Sequence, residues 1–97
     1  MDPDLSDLTI ADVVISTAGR DAGTLFYVLQ TDETYLWLVN GKDRTIEKPK
    51  KKKRKHTKKV LRSETRVAEK LRTGDKVLNS ELRRDLAYLA REMQATT

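Results

Sequence analysis

A mainly β domain with a C-terminal helical extension of one or two helices is predicted by three features of this 97-residue chain. Short runs rich in β-branched and aromatic residues alternate with turn-forming residues through the first half. Asn40-Gly41 follows one of these runs and is a tight-turn dipeptide, because both positions tolerate positive φ. In the last third the apolar residues recur every three or four positions, which is a helical spacing.

Residues 1–10 form an acidic leader with Pro3 and no clear periodicity. Val13-Val14-Ile15 predicts a first strand ending at Ser16. Thr17 to Thr24, with Gly19 and Gly23 around Arg20-Asp21, reads as a loop. Leu25 to Leu29 predicts a second strand, Asp32-Glu33-Thr34 a turn, and Tyr35 to Val39 a third strand. After Asn40-Gly41 a fourth short strand is expected near Arg44 to Glu47, stopped at Lys48-Pro49 because proline cannot continue a ladder. Alternation places Phe26 and Val28 on one strand face and Tyr27 on the other, and separates Leu36 and Leu38 from Tyr35 and Trp37. A short helix is expected from about Glu64 to Arg72, with Ser63 as N-cap and Gly74 as its stop. Asn79 or Ser80 can cap a second helix, on which Leu82, Leu86, Leu89 and Met93 make one apolar stripe. That stripe must bury against something, and the chain's own strands are the expected surface. The domain division is therefore a leader over 1–10, a β domain over 11–60 and a helical extension over 61–97.

The charge is segregated. Residues 1–47 hold nine acids against three bases, and residues 60–97 six acids against eight bases. Between them, Lys48 to Lys59 holds nine Lys or Arg and no acid. Such a segment attracts polyanions, and phosphate backbones release a counterion for each charge neutralised. Lysine gives point-charge contacts that carry little sequence information. Bidentate base recognition is left to Arg20, Arg44 or Arg54. Pro49 to Lys55 also resembles a nuclear localisation signal, and a solvated linker is the plainest alternative. Phosphate binding is the favoured reading.

Several classes are not expected. There is no cysteine, so disulfides, thiolate zinc sites and cysteine nucleophiles are excluded. No apolar run reaches the ~18 residues of a membrane span, and the acidic N-terminus is unlike a secretory signal; a soluble cytoplasmic protein is expected. His56 is the sole histidine. A general base needs a partner and a nucleophile at defined geometry, and the acids Asp12, Asp21, Asp32, Glu33 and Asp43 are scattered through turns. No enzyme activity, cofactor, metal or small-molecule substrate is expected.

The segment Val13 to Leu29, read as strand, glycine-containing loop and strand, resembles the KOW motif. The chain is similar to small bacterial KOW-domain RNA-binding proteins, themselves similar to KOW-containing large-subunit ribosomal proteins of archaea and eukaryotes. Asn40-Gly41-Lys42-Asp43-Arg44 resembles that family's glycine turn followed by an arginine. Glu47-Lys48-Pro49-Lys50-Lys51-Lys52, with Lys55-His56 behind it, resembles its Lys-Pro-Lys-rich segment. The resemblance implies an SH3-like β-barrel of about five strands, with Lys48 to Arg54 connecting the fourth strand to a fifth near Lys55 to Lys59. Gly23 would be a backbone requirement of the loop. Two departures stand out: Ala22 and Thr24 flank Gly23 where many KOW loops carry lysines, and Thr57 stands where an apolar residue often follows the histidine. Small barrels partly bury both faces, so Trp37 is expected to be core. Exposed Tyr27, Tyr35 or Trp37 would be candidates for base stacking.

The resemblance implies a non-enzymatic RNA-binding protein, monomeric when free, that binds ribosomal RNA or another structured RNA, is ribosome-associated and serves translation. Lys48, Lys50, Lys51, Lys52, Lys53, Arg54, Lys55, Lys58 and Lys59 are the candidate phosphate contacts. His56 is a further candidate RNA contact, and Arg20, Lys42 and Arg44 would orient the barrel. The alternative is a protein-interaction module that docks a ribosomal or transcription partner through the barrel or through the C-terminal amphipathic helix.

Overall fold

The computed structural model describes residues 8–95. Five strands form one antiparallel sheet: β1 (Asp12–Ser16), β2 (Leu25–Thr31), β3 (Tyr35–Val39), β4 (Lys50–Lys53) and β5 (Thr57–Arg62). Their order is β4-β3-β2-β1-β5. A 3-10 turn over Arg54–His56 links β4 to β5, so the two edge strands are joined by one short connection and the sheet is barrel-like. Helices α1 (Arg66–Thr73) and α2 (Asn79–Ala95) follow. Among the described residues, no helix is long and apolar enough to cross a membrane.

The central strands are apolar on both faces because both faces are covered. Leu8, Val14, Phe26, Val28, Leu36 and Leu38 form the inner cluster. Ala11, Val13, Tyr27 and Val39 point outward and meet Ala68, Leu71, Val77, Leu82, Leu86 and Leu89 from the helical segment. The α2 stripe therefore packs at home. Leu82, Leu86 and Leu89 are buried, each contributing ~1.5–3 kcal/mol relative to exposure, and Met93 is half-buried.

A buried hydroxyl fixes how the helices sit. Tyr27 is wholly inaccessible. Its hydroxyl is hydrogen-bonded to Ser63 Oγ at 2.8 Å, to Thr65 Oγ1 at 3.3 Å and to the Asp85 carboxylate. Thr65 Oγ1 also donates to Asp85 (2.8 Å) and accepts from Ala68 N (3.2 Å), which makes Thr65 the N-cap of α1. Ser63, the expected cap, lies two residues too early because Tyr27 holds its hydroxyl. Gly74, with φ of 75°, ends α1 as expected.

Four expectations change. The fourth strand is not at Arg44 to Glu47. Asn40 N and Gly41 N bond Arg44 O, and Thr45 bridges Lys48, so that stretch is spent on turns. Ile46 N is captured by Asn79 Oδ1 of α2 at 2.9 Å. The lysines after Pro49 form β4 instead, so Lys48 to Arg54 is not a connecting loop. The fifth strand is anchored and extends to Arg62, with Thr57 buried, paired with Ser16 and donating to Arg54 O at 2.8 Å. The leader is not wholly outside the domain: residues 1–7 lie outside the described residues, but Leu8 is in the inner cluster. Asp12, buried at the start of β1, accepts from Thr9 N at 2.8 Å and so holds this approach in place.

Gly23 and Gly41 separate two backbone requirements. Both have positive φ, 91° and 76°. A Cβ on Gly23 would meet nothing within 4 Å, whereas one on Gly41 would lie 2.2 Å from Asn79 O. Gly23→Ala is expected to cost ~1 kcal/mol through its dihedral alone. Gly41→Ala should cost clearly more, because it also pushes α2 off the sheet. Urea unfolding of the two variants side by side checks the order.

Burial, then the Asp85 hydrogen bond, raise the Tyr27 pKa to about 12, against about 10 in an unfolded chain. The network's stabilisation is complete below pH ~10 and is lost as pH rises through about 12. Tyr27→Phe should be ~1–3 kcal/mol less stable at neutral pH. Its stability should also fall less steeply than that of the unaltered protein over that alkaline window, as read by denaturant titrations at each pH.

Candidate functional site

The basic tract is part of the sheet. Because β4 and β5 are the two edges, one continuous segment supplies both of them. Lysines on an edge discourage a further strand from pairing there, so part of this charge serves the fold. The strand period sorts the side chains. In β4, Lys51 and Lys53 are exposed, Lys50 is half-buried and Lys52 is buried. Lys48, Lys55 and Lys58 are exposed, and Arg54, His56 and Lys59 are half-buried.

Lys52 works inside the protein. It lies opposite Leu36 on the inner face. Its ammonium donates to Asp21 Oδ1 at 2.8 Å and to Ala18 O at 2.7 Å. Asp21 Oδ1 also accepts from Ser16 Oγ at 2.7 Å. Burial pushes the Asp21 carboxyl up, but the Lys52 and Ser16 hydrogen bonds and the charges of Lys52 and Lys50 outweigh it and hold it below the usual range. The loop over residues 17–24 is thus tied to β4, and Arg20 is exposed on it. The sequence places Lys52 with the phosphate contacts and Asp21 among the acids scattered through turns; their pairing joins positions 31 apart and leaves no local signal.

Other members of the set are also engaged. Arg54 donates to Asp32 O and to Leu8 O, each at 3.0 Å. Lys59 lies 3.4 Å from Asp12 Oδ2. The His56 carbonyl accepts Thr17 N at 2.9 Å. Lys42 is exposed and Arg44 half-buried in the turn leading toward β4.

The aromatic candidates divide. Tyr27 is buried in the network described above, so it is no surface platform. Tyr35 and Trp37 are half-buried on the outer face of β3, which corrects the expectation that Trp37 is core. Their cross-strand partners are Lys53 and Lys51. The Lys51 ammonium lies 4.3 Å from the Tyr35 ring centroid and 5.6 Å from that of Trp37. Exposed Gln30, which sequence reasoning did not single out, pairs with Trp37 from β2. Nearby Asp32 is turned into its own hairpin, where the N–H groups of Tyr35 and Thr34 hold its carboxyl below the usual range.

Among the described residues, no group of three or more His, Asp or Glu side chains is placed to hold a metal ion. No protein-family model matches the chain, and no curated protein matches it.

The internal role of Lys52 has a direct check. Lys52→Gln leaves the Asp21 carboxylate without its cation and should cost ~1.5–3 kcal/mol. Lys53→Gln, one residue on and exposed, should change stability by less than ~0.5 kcal/mol. Thermal melts of both variants read the difference.

Proposed function

We propose that this is a non-enzymatic RNA-binding protein whose phosphate contacts come from the exposed lysines of the tract. The observation that carries the reading is the placement of Lys48, Lys51, Lys53, Lys55 and Lys58, all exposed on one continuous segment that forms both sheet edges. Arg20 is carried on the loop that Asp21 ties to Lys52 of β4, and Lys42 and Arg44 lie in the turn between β3 and β4. Point charges along an edge suit a phosphate backbone, whose neutralisation releases counterions and drives binding with little sequence preference. The resemblance of Val13 to Lys58 to small KOW-domain RNA-binding proteins supports ribosomal RNA as the ligand and a ribosome-associated role in translation.

The competing reading is a module that docks a ribosomal or transcription partner through the barrel or the C-terminal helix, and burial of the helix stripe weighs against its second route. Leu82, Leu86 and Leu89 are spent on the protein's own outer cluster.

Salt dependence tests the proposal. With five lysines on phosphates, log K should fall with log salt at a slope of about −3.5 to −4.5. Changing Lys51, Lys53, Lys55 and Lys58 together to Gln should flatten the slope by about three. Lys52→Gln should leave it unchanged, because that ammonium is already bonded to Asp21. A quadruple variant with the original affinity and slope would remove the tract from the mechanism.

A further inference from the structure

We propose that the outer face of β3 and β4 is a stacking platform for unpaired bases, so that RNA held by the tract is single-stranded where it crosses this face. The inference rests on the RNA-binding reading and specifies the form of the ligand.

The helices cover only part of the outer sheet face. They clad Val13, Tyr27 and Val39, but Tyr35 and Trp37, farther along β3, are left half-exposed. Both rings point the same way, because residues two apart on a strand share a face. Lys53 and Lys51 stand directly across from them on β4, and Gln30 stands across from Trp37 on β2. The patch therefore combines two π faces, two exposed ammonium groups and one amide able to donate and accept. Aromatic faces accept any base, cations bind the linking phosphates, and the amide can reach a base edge.

Spacing selects the strandedness. The two side chains arise ~6.6 Å apart along β3. That is about twice the 3.4 Å rise of a stacked strand. A base on each ring requires neighbouring nucleotides to be unstacked and splayed, which unpaired RNA allows and a duplex does not.

Lys51 now covers both rings. An exposed cation–π contact is worth about two- to fivefold in an equilibrium constant. Stacking a base on an aromatic ring is worth about 5- to 150-fold. The base therefore displaces the ammonium, which is left beside the incoming phosphate.

Trp37 is the sole tryptophan, so its fluorescence reports on the patch in the unaltered full-length protein. The probes are an oligouridylate of about twelve nucleotides, within the range of known single-strand sites, and an RNA duplex of the same length. Both carry a distant label, so that anisotropy measures binding independently. The oligouridylate should quench Trp37 as it binds, and the duplex should bind without quenching. Trp37→Leu and Tyr35→Leu should each weaken oligouridylate binding by about 5- to 150-fold and duplex binding by less than about twofold, with the salt slope retained. Trp37→Phe and Tyr35→Phe should restore most of the loss. Oligouridylate bound at saturation with Trp37 fluorescence unmoved would overturn the platform and leave the phosphate-binding reading standing. So would Leu variants that weaken both RNAs equally. Failure of both RNAs to bind would overturn both readings, and duplex binding without oligouridylate binding would overturn the platform alone. The fluorescence measurement decides even where a Leu variant does not fold.

Discussion

The phenol of Tyr27 is the point at which the sheet and both helices are held together. A hydroxyl buried this deeply is costly unless bonded, and its partners come from three places: Ser63 where β5 ends, Thr65 at the cap of α1, and Asp85 in the middle of α2. One oxygen therefore fixes where the chain leaves the sheet, where the first helix starts and how the second is rotated. With that rotation set, Leu82, Leu86 and Leu89 fall on Val13, Tyr27 and Val39. At the other side of the helix layer, Asn79 holds Ile46 N and Arg83 donates to Gly41 O at 2.6 Å. The uncovered end of β3, where Tyr35 and Trp37 lie, follows from the same placement. The helices reach only as far as these anchors allow.

The parts of this arrangement that depend on local pattern were legible in the sequence. β1, β2 and β3 stand where β-branched and aromatic runs lie between turns, and the α2 stripe is an ordinary helical spacing with the burial it demands. Gly74 and Gly23 were recognisable because a stop and a loop junction call for positive φ. What escaped was decided by distant partners. Arg44 to Glu47 has the look of a short strand, yet Asn79 takes Ile46 N and leaves the stretch as a turn. Ser63 has the chemistry of an N-cap, yet Tyr27 holds its hydroxyl. The candidate site divides the same way. Its charge was plain from composition, but the roles of Lys51, Lys52 and Lys53 were not, because a run of identical residues carries no alternation of hydrophobicity. Only pairing with Tyr35, Leu36 and Trp37 shows which ammonium faces solvent.

Lysine is a poor strand former, and four in succession would be an unstable central strand. At an edge the balance differs. One side of the strand is paired, alternate side chains can extend into water, and their mutual repulsion keeps other strands away. The structure accommodates the buried lysine, Lys52, by bringing Asp21 to it, and that ion pair ties down the loop carrying Arg20. Edge protection, loop tethering and a positive surface are thus obtained from neighbouring residues of one segment, separated by nothing more than the pleat.

A charge that is contiguous in the chain survives unfolding. The denatured polypeptide keeps Lys48 to Lys59 intact and, freed from the pleat and from Asp21, offers all nine of its cations at once. A polyanion that recognises charge alone thus finds a second binder in the unfolded ensemble, and by linkage returns little stability to the native state. Tyr35 and Trp37 behave differently, because their alignment with Lys51 and Lys53 exists only while β3 and β4 are paired. The degree to which a bound polyanion protects this protein from denaturation is therefore a measure of how far it uses the sheet and not merely the sequence.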